Sequence, residues 1–112
     1  MILSVYTARI TYAGPDRLDV SRKSGEAVFA PSWDLLRAAL PKLGGTLPWE
    51  EYVDRYTAEM RVSYREHRAA WDALLARDVV TLVCYCVDPL RCHRTVLAAI
   101  LGKIGADARG ER

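Results

Sequence analysis

Residues 79–86 read VVTLVCYC, a nearly continuous run of β-branched and apolar side chains. A run of this length without polar alternation is typical of a central strand in a parallel sheet, where both faces are covered. The loop Val87–Arg91 follows, and residues 92–104 then carry apolar side chains at helical spacing, with Gly105 as a C-cap. This stretch predicts a strand that leads into a helix, which is the repeating unit of an α/β fold.

Towards the N-terminus, residues 48–77 place apolar and aromatic side chains at steps of three and four, with no internal glycine or proline. The pattern predicts one long amphipathic helix that ends near Arg77. A shorter helix is predicted from the N-cap Ser32 to Leu40, because Pro41 disfavours helix at the preceding residue. Residues 42–47 contain two glycines and are predicted to form a loop.

The first thirty residues read as extended segments. Strands are predicted at residues 2–8 and 17–20, separated by a turn at residues 13–16 and followed by a polar loop at 21–25. A third extended piece is predicted at residues 27–30, and a last short strand at 106–109. The order predicts one α/β domain over residues 1–112. Its expected form is a small three-layer Rossmann-like sandwich with a mainly parallel sheet and one long amphipathic helix.

Composition excludes several classes of protein. The 112 residues carry a net charge of +2 and are 51% hydrophobic, which argues against disorder and against a general attraction to nucleic acid. The chain has neither a run of about 18 apolar residues nor the basic start of a secretory signal, so no membrane partner is expected. Three cysteines cannot all pair, which favours a reducing, cytoplasmic location. No cofactor is predicted.

The residues that bear chemistry cluster where the central strand ends. Ligands of open parallel sheets bind at the carboxyl ends of strands, and helix N-termini attract anions. Arg91 and Arg94 flank the start of the last helix, so they are predicted to hold a phosphate or a carboxylate. The alternative is that these arginines pair with Asp88 or Glu111 and bind nothing.

The thiols of this segment suggest catalysis. A cysteine in a first helical turn beside Arg and His is expected to have a lowered pKa. Cys92 is therefore a candidate nucleophile, with Cys86 as a second candidate and His93 as an acid or base. The alternatives are that Cys92 only packs against the sheet, and that Cys84 is an ordinary buried side chain.

Two familiar motifs fit poorly. A cysteine phosphatase loop needs arginine six positions after the cysteine, and counting from Cys86 that position is Cys92. A zinc site would use Cys84, Cys86, Cys92 and His93, four suitable ligands in the unusual spacing C-x-C-x5-C-H. Adjacent Cys92 and His93 would also diverge by about 100° if both were helical. No metal is therefore assigned, although zinc remains an alternative.

A second basic group lies in the loop after the second strand. Arg17, Arg22 and Lys23 are candidates for binding the same anion, and Asp19 is a candidate to orient an arginine or bind a ribose hydroxyl. The alternative is a solvated polar loop. Further along, a stripe of arginines on the long helix (Arg61, Arg65 and Arg68) either follows a phosphate backbone or forms a solvated face. Aromatic residues of that helix are expected in the core: Trp49, Tyr52, Tyr56 and Trp71.

The C-terminal third resembles an uncharacterised bacterial and phage family, domain of unknown function 488, known by a Cys-His-Arg motif. The similarity is carried by Cys84–Cys86, Cys92–Arg94, Leu101–Ala106 and Gly110–Arg112, and also by Tyr12–Val20, Phe29–Asp34, Tyr64-Arg65 and Trp71–Leu75. The resemblance is to the short members of the family. It implies a small Rossmann-like fold and a site centred on Cys92, His93 and Arg94, without an established reaction. Longer members begin with a Gly-His-containing strand, which is absent from residues 4–9.

Three hypotheses about function follow. The leading one is binding of a phosphate-bearing ligand, a nucleotide or a nucleic acid, at the turn of residues 86–94, with thiol or histidine chemistry as an option. The second is a non-catalytic module that binds nucleic acid through Arg17, Arg22, Lys23 and the stripe at Arg61. The third is a zinc-stabilised interaction domain. Whether the protein is an enzyme, and its oligomeric state, are left open.

Overall fold

The computed structural model describes residues 2–86 and 88–112; Val87, from the predicted loop, lies outside them. Within the described residues the regular elements are β1 (Ser4–Arg9), β2 (Arg17–Asp19), α1 (Trp33–Ala39), α2 (Trp49–Glu66), α3 (Arg68–Leu75), β3 (Val79–Cys84), α4 (His93–Lys103) and β4 (Asp107–Glu111). Short 3-10 turns occupy Ala27–Phe29, Pro41–Leu43 and Pro89–Arg91. None of the helices described is both long and apolar enough to cross a lipid bilayer.

The four strands form one sheet in the order β2-β3-β1-β4, and every pair is parallel. Strand β3 has a neighbour on each side, and its residues 80–84 are all buried, as its apolar sequence predicts. Val5 of β1 lies opposite Val80, and Leu18 of β2 lies opposite Leu82. The predicted α/β class with a parallel, Rossmann-like sheet is confirmed.

The two faces of the sheet are covered differently. Val5, Val80 and Leu82 belong to the main apolar core, where α4 packs on β1, β3 and β4 and contacts α2. Tyr6, which projects to the opposite face, has the guanidinium of Arg112 3.8 Å from its ring centre. The connection of residues 10–16 crosses this second face, because the return from β1 to the parallel strand β2 must pass β3.

The predicted long amphipathic helix is present as α2, but its predicted end near Arg77 is wrong, because the chain leaves helical geometry at His67 (φ −127°, ψ 40°) and continues as the separate helix α3. The Ser63 hydroxyl donates to the Val28 carbonyl at 2.6 Å and accepts from the Trp71 indole N–H at 3.1 Å. Trp71 is thereby fully buried, with its ring centre 5.0 Å from that of Phe29. These tertiary contacts select a bend that the sequence, lacking glycine or proline here, does not signal.

Other boundaries follow from local hydrogen bonds. The predicted extended piece at residues 27–30 is wrong: residues 27–29 form a 3-10 turn that buries Phe29, whose carbonyl accepts from the Tyr56 hydroxyl at 2.7 Å. The predicted N-cap is confirmed, since the Ser32 hydroxyl accepts from the Leu35 N–H at 3.1 Å. Strand β3 ends at Cys84, two residues earlier than predicted, so Tyr85 and Cys86 lie beyond the sheet.

Candidate functional site

Three thiols and one imidazole converge where β3 ends and α4 begins. The Sγ atoms of Cys84, Cys86 and Cys92 and the Nδ1 atom of His93 all lie within 4.8 Å of one another. The Cys84 sulfur is central to this thiol–imidazole cluster: it lies 3.1 Å from the Cys92 sulfur, 3.5 Å from that of Cys86 and 3.9 Å from the imidazole nitrogen. The cysteines are free thiols.

The backbone conformation explains how the adjacent side chains of Cys92 and His93 can both face the Cys84 sulfur. Cys92 is the N-cap of α4 and has extended dihedral angles (φ −142°, ψ 142°), whereas His93 is the first helical residue. The helical divergence of about 100° between adjacent side chains therefore does not apply to this pair. The Cys92 sulfur and the His93 Nδ1 lie 4.0 Å apart. Cys86 joins them because the chain turns back over Cys84, whose sulfur accepts from the Cys86 N–H at 3.5 Å.

His93 is held in one orientation and one tautomer. It is buried, and its Nε2 lies 2.7 Å from the carbonyl oxygen of Val20. A carbonyl only accepts hydrogen bonds, so Nε2 carries the proton and, in the neutral ring, Nδ1 presents a lone pair to the sulfurs. The Tyr56 ring packs against the imidazole with centroids 5.5 Å apart. The loop after β2 thus fixes which ring nitrogen of His93 faces the sulfurs.

The thiols share their protons unequally. Hydrogen-bond contacts with Cys86 and Cys92, together with the nearby His93, lower the pKa of Cys84 far below its ordinary value. The contact with Cys84 and burial raise the pKa of Cys86 to about 11. Contacts with Cys84 and Cys86, together with burial, raise the pKa of Cys92 well above its ordinary value. The predicted lowering of the Cys92 pKa is wrong, because its contacts with the neighbouring thiols and its burial raise that pKa.

Arg94 faces inward rather than towards a ligand. Its side chain is 0% exposed, and it donates to the Glu111 carboxylate through Nε (3.2 Å) and Nη2 (2.8 Å). Its Nη1 donates to the Cys86 carbonyl at 2.8 Å and to the Cys92 sulfur at 3.4 Å. Burial raises the pKa of Glu111, but the bonds from Arg94 and Thr7 lower it more, so the net pKa lies below its ordinary value. The pairing with Glu111 is the alternative considered from the sequence.

A cavity of about 780 Å³ opens beside the cluster. Its walls combine aromatic, basic and thiol side chains contributed by α1, the start of α2, the loop after β2 and the turn after β3. The basic, aromatic, thiol and imidazole side chains of its lining are Arg22, Lys23, Trp33, Lys42, Trp49, Tyr52, Cys84, Tyr85, Cys86, Arg91 and His93. The two basic segments predicted to converge, the loop after β2 and the turn before α4, therefore do meet at one cavity.

Not every predicted ligand-binding residue reaches this cavity. Arg17 is exposed and donates to the carbonyls of Ile10 and Tyr12, both at 3.0 Å, so it braces the β1–β2 connection. Asp19 accepts from the Ser24 hydroxyl at 2.5 Å and from the Ser21 N–H at 2.9 Å. Burial raises the Asp19 pKa, and these bonds lower it more. Asp19 shapes the loop that carries Arg22 and Lys23.

Trp33 was missed from the sequence as a site residue. It is the first residue of α1, 50% exposed, and lines the cavity. The available signal was an aromatic residue directly after an N-cap and outside the apolar face of α1. Trp49 and Tyr52 also reach the cavity, and Tyr52 is at the same time a buried core residue, as predicted for it and for Tyr56 and Trp71. The arginine stripe is divided by the bend at His67, and Arg68 pairs with Asp72 at 3.0 Å.

Comparison with known families identifies a matching family model. A family model, DUF488-N3a, described as the active DUF488-N3 subclade, matches residues 5–105. The matched span contains the whole thiol–imidazole cluster and every residue named above as lining the cavity. No curated protein and no solved structure matches the chain.

Proposed function

The chain belongs to the DUF488 family, and we propose that it binds a nucleotide, free or at the end of a nucleic acid strand, in the cavity beside the thiol–imidazole cluster. The observation that carries this proposal is the composition of the cavity wall, which joins flat aromatic faces to unopposed basic side chains. A nucleotide has the matching parts, a planar base and an anionic phosphate. The description of the matched subclade as active favours a ligand that is also a substrate.

The aromatic wall suits a planar ring. Trp49 and Tyr52 stack on each other, with centroids 5.0 Å apart and an interplanar angle of 15°. Tyr52 is nearly buried and fixed, while half of the Trp33 side chain remains open to solvent. Bases stack on such side chains with a gain of about 1–3 kcal/mol each, whatever the base. We assign Trp33 and Trp49 as the surfaces against which the base lies.

The basic wall suits a phosphate. Among the described lining residues four are Lys or Arg and none is Asp or Glu, so the electrostatic field of the cavity wall is positive. The Nε of Arg22 donates to the Pro31 carbonyl at 2.9 Å, which orients that guanidinium. Lys23 lies with its Nζ 5.5 Å from the Tyr85 ring centre. We assign Arg22, Lys23 and Arg91 to the phosphate.

These assignments differ from the roles suggested by the sequence. Arg94 is committed to Glu111 and to the cluster, so we give it no contact with the ligand. Cys92 is 1% exposed and does not line the cavity, which removes it from reach of a bound substrate. Cys86, half-buried and in the lining, is the most exposed of the three thiols. Because free thiols in mutual contact persist in a reducing compartment, we also propose a cytoplasmic location.

Calorimetric titration of the untagged protein tests this proposal. The ligands are inorganic phosphate, a nucleoside, the four nucleoside monophosphates, and a short oligonucleotide with a 5′-phosphate. We expect a monophosphate or the phosphorylated end to bind at least about tenfold more tightly than phosphate or nucleoside alone, because two walls are then engaged. The comparison of mononucleotide with oligonucleotide decides between a free ligand and a nucleic acid end.

Variants locate the binding. Trp33→Ala should weaken nucleotide binding by about 5- to 100-fold through lost stacking. Arg91→Ala should weaken it by about tenfold or more, since a charge-assisted hydrogen bond contributes about 1.5–3 kcal/mol. Arg65→Ala, an exposed arginine at the end of α2 outside the cavity lining, is the matched control and should bind as the wild type does. Nucleotides that bind no better than phosphate, or equal affinities for Arg91→Ala and wild type, would overturn the proposal.

A further inference from the structure

We infer that the thiol–imidazole cluster is a zinc site, in which the sulfurs of Cys84, Cys86 and Cys92 and the Nδ1 of His93 bind one Zn²⁺. This inference concerns the wall of the cavity rather than its ligand, so it stands apart from the proposed nucleotide binding. The donor atoms point to the metal. Three thiolates and one imidazole in a tetrahedral arrangement are typical ligands of zinc or of an iron–sulfur cluster.

The distances match a small metal polyhedron. A tetrahedron with metal–ligand bonds near 2.3 Å has edges of about 3.7 Å. The measured separations are 3.1 and 3.5 Å between sulfurs, 3.9 and 4.0 Å from sulfur to Nδ1, and all atoms lie within 4.8 Å. These separations lie between about 0.6 Å below and at most about 1.1 Å above that edge, so shifts of roughly half an ångström at each side chain would complete the coordination. The unusual spacing C-x-C-x5-C-H is no obstacle, because Cys92 precedes the helix that His93 begins.

The surroundings are those of a metal ligand set. Zinc-bound histidines donate their second ring nitrogen to a carbonyl or carboxylate, and here Nε2 of His93 does so to Val20. The Cys84 sulfur accepts the Cys86 N–H, and the Cys92 sulfur accepts from Arg94. Both contacts stabilise thiolates, which are the species that bind metal. The Nδ1 atom of His93 lies 3.9 Å from the Cys84 sulfur and 4.0 Å from the Cys92 sulfur, an arrangement that apolar packing alone does not explain.

The charge balance agrees with a buried zinc thiolate. Three thiolates and one Zn²⁺ leave a net charge of −1, and the neutral imidazole adds none. The wholly buried guanidinium of Arg94 supplies a positive charge in direct contact with this group. Binding of zinc to thiols releases their protons, as expected for thiolate ligands.

A four-coordinate Cys3His site of this kind is structural rather than catalytic. It would tie the end of β3 to the start of α4 and to the loop after β2, through Val20. These are the segments that present Arg91, Tyr85 and Arg22 to the cavity. The zinc therefore forms part of the cavity floor and holds the basic wall in shape, and we assign it no step with the ligand.

Metal analysis of the untagged wild-type chain, purified under reducing conditions with zinc present, tests the inference without any substitution. We expect about one zinc per chain, released by a mercurial reagent that titrates the thiols. Replacement by Co²⁺ should give the strong visible d–d bands and the near-ultraviolet thiolate charge-transfer band of a tetrahedral thiolate site. A zinc content that stays near zero after incubation with excess zinc would overturn the inference, as would an octahedral cobalt spectrum or a tightly bound iron–sulfur chromophore.

Variants assign the ligands. Cys84→Ser and His93→Ala should lose stoichiometric zinc, and His93→Cys should keep it with a cobalt spectrum shifted towards that of four thiolates. His67→Ala replaces the other histidine of the chain, which is exposed, and should retain about one zinc. If Cys84→Ser or His93→Ala fails to fold, the zinc content of His93→Cys and the cobalt spectrum of the wild-type protein still test the zinc site. An intact mass with an oxidised Cys84–Cys92 pair and no zinc would identify a disulfide instead and refute the site.

Discussion

The guanidinium of Arg94 and the carboxylate of Glu111 form two parallel hydrogen bonds of 3.2 and 2.8 Å, although 17 residues separate them in the chain. The bond pair fastens β4, the last strand, to the first turn of α4. The other side of the same guanidinium contacts the Cys86 carbonyl and the Cys92 sulfur. One arginine therefore links the edge of the sheet to the thiol–imidazole cluster.

Breaking this link should destabilise the protein. Arg94→Met leaves Glu111 without its ionic partner; because the Glu111 side chain is 29% exposed, we expect a loss of about 2–4 kcal/mol rather than the full cost of a buried charge. Glu111→Gln leaves the wholly buried Arg94 guanidinium without its counter-ion and should cost at least as much, about 3–5 kcal/mol. Urea unfolding gives both values. Arg109→Ala breaks the exposed pair with Asp107 on the same strand and should change stability by less than about 1 kcal/mol. Equal losses for Arg94→Met and Arg109→Ala would contradict this view.

The stability should fall in acid partly through Asp16. Burial raises the Asp16 pKa, but hydrogen bonds from the Thr81 and Tyr12 hydroxyls lower it more, to a net value below the ordinary 3.8. A folded pKa below the unfolded one stabilises the protein above the unfolded pKa, and this contribution is lost as pH falls through the folded pKa. Asp16→Asn should therefore lose stability at neutral pH and show a shallower decline below about pH 5. Unfolding free energies measured between about pH 7 and about pH 3 check this, and parallel curves for the two proteins would exclude it.

Loss of the Ser63 hydroxyl should lower the free energy of unfolding by more than the size of the group suggests. It bonds both the Val28 carbonyl and the Trp71 indole N–H across the bend between α2 and α3. Ser63→Ala leaves a donor and an acceptor buried without partners, at a cost of about 1–3 kcal/mol. Thr57→Ala, at a half-buried position earlier in α2, is the control and should change the unfolding free energy by less than about 0.5 kcal/mol. A Ser63→Ala variant as stable as Thr57→Ala would show that the bend does not depend on this hydroxyl.

Tryptophan fluorescence should report the ligand. Trp33 and Trp49 line the cavity, whereas Trp71 is fully buried in the core. If a base stacks in the cavity, a nucleoside monophosphate should quench a large part of the emission, and the remaining emission should be the blue-shifted signal of Trp71. Trp33→Phe should remove much of the ligand-dependent quenching, and Trp71→Phe should leave it in place. Quenching confined to Trp71 would place the ligand elsewhere.

Much of the fold follows from local sequence. The apolar run at residues 79–84 indicates a central parallel strand, and the Ser32 cap and Pro41 bound α1. The bend at His67 could not be predicted in this way, because Ser63, Trp71 and Val28 meet only in the folded protein. Likewise, residues 27–30 have β-forming composition, yet burial of Phe29 and its bond from Tyr56 fix a 3-10 turn.

The candidate site shows the same division. The sequence alone determined that three cysteines, a histidine and two arginines lie around one strand-to-helix turn, because their spacing along the chain places them there. Only the tertiary structure decided their roles. Folding turns Arg94 inward to Glu111, takes Cys92 out of the helix so that it faces His93, and brings Trp33 from α1 to the cavity. The physical reason is that periodicity and capping are local, whereas burial, ion pairing and the convergence of ligand atoms depend on segments that are distant in sequence.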